Sequence, residues 1–398
     1  MYIPRRAADA LRSLAADHPI VAVTGPRGSG KTTLVRELFP GLEYVSLEDP
    51  VQREFALDDP LRFLGGYPDG AVLDAVHRAP DLLSYLQEMV NQDSRPGRFI
   101  LTASHRFGTV DLAAESLARK IAHLSLLPFS LGELGSEGLA SDNLEEMLFV
   151  GLYPRVHDQK LDSVRWYGDY ISTYIEQELR QLITVRDLTL FQRFLRMCGS
   201  RTGSLLNLSG LAADCGITHN TARAWIAVLE ASYLVFLLRP HHASFKKRIV
   251  KTPKLYFHDV GIAAWLLGVQ KPSDLTFHPM RGALFENWVV SELLKMRFNA
   301  GLRSNLFFWK GQAGLEVSCV VELGSRLVPV EVRSGETLSS DAFLPLWRWQ
   351  NLAGETGDDG WLVYGGSAAE SRERARSLPY RSIGEMEEIV VPWFHRPR

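Results

Sequence analysis

The chain is 398 residues long, enough for two or three domains of roughly 150 residues each. With 46% hydrophobic and 23% charged residues it has the composition of a globular protein with substantial cores. A formal net charge of −2 excludes a wholly basic nucleic-acid coat but allows a local basic patch. No run approaches the roughly 18 apolar residues of a membrane span, and "MYIPRRAADALRSL" lacks the apolar stretch of a signal peptide. A cytoplasmic protein with no membrane partner is therefore expected. The three cysteines, Cys198, Cys215 and Cys319, lie far apart without metal-site spacing and fit small buried hydrophobes in a reducing compartment.

In chain order, "HPIVAVTGPRGSGKTTLVRELF" reads as strand, glycine-rich turn and helix. "LEYVSLEDP", "GAVLDAVHRAP" and "GRFILTAS" are further short β-rich runs that end in polar or turn residues. Between the last two, "DLLSYLQEMVNQ" has helical spacing at Leu82, Leu83, Leu86 and Met89/Val90. This alternation predicts an α/β unit with a parallel sheet covered by helices.

Gly25-Pro26-Arg27-Gly28-Ser29-Gly30-Lys31-Thr32, followed by Thr33, matches GxxxxGK[ST] between strand and helix. Glycines let the backbone curl so that its N–H groups face phosphate oxygens, and the helix start adds the positive end of its dipole. Lys31 is expected to reach the β/γ-phosphates of ATP, and the Thr32 hydroxyl to bind Mg²⁺. Asp74 ends an apolar run, where it either faces the Mg²⁺ shell or is an ordinary strand-end aspartate. Ser104 closes "FILTAS", where a polar sensor of the γ-phosphate would sit.

From about residue 141 the chain turns helical, with "VRWYGDYISTYIEQELRQL" and "LTLFQRFLRMCGSRTG" both amphipathic. Two short helical segments then meet at Gly216-Ile217, and strand-like "LVFLL" and "KLYFHD" follow, a winged-helix order. Thr218 is the expected N-cap of the second helix, with Ala222, Trp225 or Ile226, and Leu229 as its buried stripe. His219, Asn220 and Arg223 then lie near its exposed start, and Arg239, Lys246, Lys247, Arg248, Lys251 and Lys254 follow with no acid between them. Such a module either contacts DNA through base edges and phosphates or packs against protein. The last third opens with helix-like "GALFENWVVSELLKMRF" and continues as strands.

The ordered segments "GPRGSGKTTL", "SLEDP", "LDAVHRAP", "FILTAS", "ESLARK" and "LLPFSLGEL" resemble those of a large prokaryotic AAA-type ATP-binding family. "WYGDYISTYIEQELRQL", "SYLVFLLRPHHASFKKRIVKTPKLYFHDVGIAAWLLG" and "GALFENWVVSEL" extend the resemblance over nearly the whole chain. It implies a P-loop AAA-type domain over residues 1–140, a helical segment and winged helix over 141–275, and a restriction-endonuclease-like α/β domain over 276–398.

Departures from the family pattern bear on the chemistry. Where the family has Asp-Glu and a Gln two residues on, this chain has Asp74, Ala75 and His77. The missing glutamate normally positions water, work worth about 10²–10⁴ in rate. Ala118-Arg119-Lys120 replaces Ala-Gly-Arg, so Lys120 keeps a charge for the transition state but not the planar fork. Glu48, beside Asp49, is either a substitute base or a solvated loop acid. In the last domain, the family's Glu-Val-Asp and Glu-x-Lys become Glu316-Val317-Ser318 and Glu331-Val332-Arg333. Ser318 lacks a metal-binding carboxylate and Arg333 stays protonated, so with Glu286 these residues are expected to form a degenerate nuclease site.

The function expected is a nucleotide-dependent switch: ATP and Mg²⁺ bind at the P-loop, hydrolysis is weak or absent, and the winged helix and nuclease-like domain respond. The alternatives are a DNA-stimulated ATPase with a substitute catalytic residue and, with least support, a Mg²⁺-dependent nuclease. The partners implied are ATP, DNA through the winged helix, and a protein partner or a second copy of the chain.

Overall fold

The computed structural model describes residues 2–105, 121–174, 188–242, 250–311, 314–354 and 357–392. Arg119, Lys120, Lys246, Lys247 and Arg248 lie outside the described residues.

The first unit runs α1 (Ala7–Asp17), β1 (Ile20–Thr24), α2 (Lys31–Leu38), β2 (Glu43–Ser46), α3 (Pro50–Asp58), α4 (Pro60–Gly65), β3 (Ala71–Asp74), α5 (Leu82–Gln92), β4 (Phe99–Ala103) and β5 (Ile121–Ser125). Its strands pair in parallel in the order β2-β3-β4-β1-β5. Strand side chains alternate, so Ile20 and Ala22 join Leu82, Leu86 and Val90 of α5 on one face. Val21 and Val23 join Leu11 of α1 and Leu34 of α2 on the other. Both faces are covered, which is why β1 is apolar throughout and does not alternate. Periodicity does not single out β5, yet it pairs with β1 from Ile20↔Ile121 to Thr24↔Ser125 and completes the sheet.

Next, helices Ser163–Tyr174 and Leu188–Gly199 lead to the pair Leu208–Cys215 and His219–Ala231. Gly216 turns the corner between that pair with a φ of 70°, a conformation glycine adopts without strain. Thr218 Oγ1 accepts from the Thr221 N–H at 3.1 Å, and Ala222, Trp225, Ile226 and Leu229 are all buried. β6 (Val235–Leu238) and β7 (Lys254–Phe257) then pair antiparallel, with Leu238 opposite Lys254.

The last unit sets helix Arg281–Asn299 against a mixed sheet of order β12-β13-β11-β10-β9-β8. Its strands are β8 (Leu306–Lys310), β9 (Glu316–Leu323), β10 (Arg326–Arg333), β11 (Gly360–Tyr364), β12 (Glu370–Arg372) and β13 (Ala375–Pro379). One apolar cluster runs from the helical unit into this one, joining Phe191, Trp225 and Phe257 to Trp288, Val330 and Val363. The backbone is stitched too: Phe308 N–H donates to the Arg239 carbonyl at 3.0 Å and His241 N–H to the Phe308 carbonyl at 2.8 Å. That seam holds the β6–β7 hairpin beside β8 and β9. Cys198, Cys215 and Cys319 are buried free thiols. Among the described residues no helix is long and apolar enough to cross a membrane.

Candidate functional site

The glycine-rich loop leaves β1 at Gly25 (φ 155°) and enters α2 through Gly28 (φ 78°) and Gly30 (φ 94°). At Gly25 only glycine fits, because a Cβ there would lie 2.0 Å from the Leu126 carbonyl oxygen. Gly30 is the N-cap of α2, so Lys31 and Thr32 occupy its first turn, where free N–H groups attract anions. The buried Lys31 donates through Nζ to the carbonyls of Gly25 and Pro26, both at 2.8 Å. Ser29 is fully buried, and among the described residues its Oγ has no hydrogen-bond partner. Arg27 is half-buried, Gly28 and Thr33 are exposed, and Pro26 is buried.

Arg5 fixes this loop from outside it. Its guanidinium donates to the Ser29 carbonyl at 2.6 Å, the Leu127 carbonyl at 2.7 Å and Glu133 Oε1 at 3.0 Å. Burial alone would raise the Glu133 carboxyl, but Arg5 and the N–H groups of Ser130 and Arg6 hold it below its usual value.

The structure brings Thr32 and Asp74 together, with Thr32 Oγ1 at 3.1 and 3.0 Å from the two carboxylate oxygens. Tyr44 OH donates to Asp74 Oδ2 at 2.7 Å, and burial and this carboxylate push the phenol up to about 12. Thr102 also donates to Asp74, and it accepts from the Ala75 N–H at 3.0 Å. Tyr44 and Thr102 were not expected at the site. Thr102 lies two residues before Ser104, inside a run read only as buried strand.

Ser104 follows β4 directly and is half-buried. Glu48 is exposed past the end of the edge strand β2, in the turn that Asp49 closes by capping α3. Burial, with His105, Arg78, Lys31 and Arg27 nearby, pushes the His77 imidazole down to about 3, so it is neutral at ordinary pH.

A further contact comes from the helical unit. Tyr233 is 2% exposed, has a φ of 58°, and places its OH 2.7 Å from Thr24 Oγ1 and 3.3 Å from Ser125 Oγ. Thr24 is the last residue before Gly25. A contact across 209 positions of chain leaves no mark in local sequence.

The acids of the last unit also converge. Ser318 Oγ lies 3.4 Å from Glu286 Oε2 and 3.5 Å from Glu331 Oε2, and Arg333 pairs with Glu331 at 2.8 Å. These residues, with Glu316, line a cleft of about 550 Å³. Burial raises the Glu331 carboxyl to about 7 despite Arg333 and the Ser318 N–H. Lys254 corrects the sequence expectation. Read as part of an exposed basic run, it is 3% exposed and pairs with Glu286 at 2.8 Å and Glu316 at 2.5 Å. Lys310 pairs with the other oxygen of Glu316 at 2.5 Å. Among the described residues no group of three His, Cys, Asp or Glu is arranged to hold a metal ion.

Of the expected nucleic-acid contacts, His219, Asn220, Arg223 and Lys251 are exposed. His219, Arg223 and Lys251 line one open cleft of about 790 Å³, whose wall also carries Glu230.

Residues 17–135 match the AAA domain family. Residues 141–273 and 281–383 match two domains of unknown function, DUF8612 and DUF4143. Solved structures similar to the chain include a Walker-type ATPase of Pyrococcus abyssi, 14% identical, covering 65% of this chain and 94% of that one with a TM-score of 0.42. RuvB of Thermotoga maritima is 20% identical, covering 61% and 90%, with a TM-score of 0.29. Two proteins called uncharacterized, from Mycobacterium bovis and Mycobacterium tuberculosis, are each 32% identical over 344 residues, 85% of this chain and 76% of theirs. The chain belongs to the family of these mycobacterial proteins, and its first third is an AAA-type P-loop domain.

Proposed function

We propose that the chain is a nucleotide-dependent switch: Mg²⁺-ATP binds at the β1–α2 loop, is turned over slowly, and biases the helix–hairpin unit through Tyr233. The observation that carries this reading is the 2.7 Å hydrogen bond between Tyr233 OH and Thr24 Oγ1. Thr24 precedes the loop, and Tyr233 is rooted between helix His219–Ala231 and β6. A loop that resettles around a triphosphate therefore acts directly on the second unit. Such coupling requires only that nucleotide bind the two arrangements with different affinity.

The residues present suit the ligand. The N–H groups of the first turn of α2, the Lys31 ammonium and the buried Ser29 hydroxyl offer donors to phosphate oxygens. Thr32 and Asp74 pair two hard oxygen ligands of the type Mg²⁺ takes. When bound, Mg²⁺ neutralises charge on the phosphate oxygens. Ala75 stands where a water-positioning glutamate is usual, which favours slow turnover.

We read residues 141–275 as a helical segment followed by a winged helix, on the support of the helix pair at Gly216 and the antiparallel β6–β7 pair after it. We read 276–398 as a nuclease-like scaffold after the AAA-type unit of 1–140. The Lys254 ammonium on Glu286 and Glu316 supports a structural role there over cutting. A second reading, DNA contact, is favoured by the shared cleft of His219, Arg223 and Lys251. It predicts binding that weakens steeply with salt and is reduced in Arg223→Ala.

The test is calorimetric titration with Mg²⁺-ATP, paired with hydrogen exchange of helix His219–Ala231 with and without nucleotide. Lys31→Ala should weaken binding by about 10–100-fold, from the loss of charge-assisted hydrogen bonds. Tyr233→Phe should bind within about fivefold of wild type, since one net hydrogen bond is worth about 1 kcal/mol or less here, but lose the nucleotide-dependent change in exchange. Absence of binding in the wild type would refute the nucleotide reading. An unchanged exchange response in Tyr233→Phe would refute the route.

A further inference from the structure

β3 ends at Asp74, and Ala75 then takes a left-handed conformation (φ 59°, ψ 41°) held by its N–H bond to Thr102 Oγ1. A non-glycine residue in that region is uncommon and marks a turn held by its surroundings. The short turn Val76–Arg78 follows it directly. His77 of this turn packs edge-on against His105, the second residue after β4, with ring centroids 5.2 Å apart. The other groups acting most on its ring are Arg78 and two residues of the glycine-rich loop, Lys31 and Arg27.

Among the described residues neither Nδ1 nor Nε2 of His77 has a hydrogen-bond partner, although both are shielded from solvent. Buried polar atoms are as a rule hydrogen-bonded, so a ring with both nitrogens open has a donor and an acceptor to offer a partner that arrives with function. The position fits one. In an open α/β sheet, ligands bind at the carboxyl ends of the strands, and His77 stands just past the end of β3 beside the loop that would hold phosphate.

We propose that His77 orients the attacking water for hydrolysis of the terminal phosphate of ATP, in the place that Ala75 leaves without a polar group. The inference rests on reading the loop as an ATP site. A neutral imidazole presents one N–H and one lone-pair nitrogen, so it accepts a hydrogen bond from water and fixes the direction of the oxygen lone pair. The water oxygen then bonds to the γ-phosphorus while the bond to the β,γ-bridging oxygen breaks. ADP leaves with that electron pair, and both water protons end on the product, dihydrogen phosphate. The low basicity of this buried ring makes it a guide for water and not a store for its proton, in line with slow turnover.

The test uses the full chain with His77→Ala and His77→Gln, whose amide also carries a donor and an acceptor. Three quantities are measured: affinity for Mg²⁺-ATP, affinity for ADP with aluminium fluoride as a mimic of the phosphoryl group in flight, and single-turnover hydrolysis. In His77→Ala, ATP affinity should stay within about threefold, while hydrolysis and aluminium-fluoride affinity fall about 10²-fold, the low end for such a group. His77→Gln should recover most of both.

Unchanged hydrolysis and mimic affinity in His77→Ala would overturn the proposal, as would a wild type that binds ATP without measurable turnover. Should His77→Ala melt early, His77→Gln decides: a loss as deep as alanine's overturns the proposal and recovery supports it. Failure of the wild type to bind ATP at all would remove the ATP-site reading itself, a separate result.

Discussion

Lys254→Met is the sharpest perturbation of the last unit. The ammonium is 3% exposed and lies 2.8 Å from Glu286 and 2.5 Å from Glu316, so methionine keeps the stem and removes the charge. Breaking a fully buried pair by deleting one partner costs about 3–5 kcal/mol, because the other charge is left uncompensated. Here the Glu286 and Glu316 side chains are 19% and 30% exposed, which lowers that figure. Glu286 also keeps its bond from Tyr256 OH at 2.5 Å, and Glu316 keeps Lys310. A loss of about 2–3 kcal/mol is expected after this discount. For a cooperative unit of about 200 residues that is a fall in Tm of roughly 5–10 °C. Scanning calorimetry at neutral pH measures it, in the transition of the units that share the apolar cluster. The double change with Glu316→Gln should recover part of the loss, since one uncompensated charge is then gone. A shift below about 1 °C, the scale of an ordinary surface substitution, would refute the placement of Lys254 among these acids.

Three further outcomes follow from other buried groups. Glu331 is raised from its ordinary 4.5 to about 7, so its charged form is disfavoured in the folded state. That cost is absent below pH 4.5, grows as pH rises to about 7 and is constant above. Denaturation of Glu331→Gln should therefore show stability relative to wild type rising by about 2–3 kcal/mol between pH ~5 and pH ~8; a pH-independent difference would contradict this. Glu133 is shifted the opposite way, so its stabilisation is present above the ordinary carboxylate value and lost as pH falls through its lower folded value. Glu133→Gln should be destabilised by about 3 kcal/mol near neutrality, with the gap closing in acid; a gap that persists to low pH would count against the Arg5 clamp. Thr102→Val should lower stability by about 1–2 kcal/mol through the unpaired Ala75 N–H and weaken Mg²⁺-ATP binding about tenfold by freeing Asp74. Unchanged affinity would mean Asp74 is held without it.

Much of the first unit was legible because its determinants are local. The apolar runs of β1 and β4, the stripe Leu82–Leu86–Val90 and the glycine spacing of the loop are each set within a dozen residues. Thr218 and its buried stripe were readable for the same reason: a cap bonds three residues away and a helix repeats every three to four. β5 was missed because Ile121–Ser125 is short and reads as strand only once β1 lies beside it.

The sequence by itself determined where a phosphate-binding loop can form, which strand carries the acid across from Thr32, and that Ala75 and Ser318 lack the carboxylates their patterns would supply. Tertiary structure alone decided which partners complete these groups. Arg5 reaches Glu133 across 128 positions, Tyr233 reaches Thr24 across 209, and Lys254 turns from the basic run inward to Glu286 and Glu316. A charge has no direction in a linear pattern. Whether Lys254 meets solvent or carboxylates depends on the seam between Arg239, His241 and Phe308, which sets the hairpin against β8 and β9.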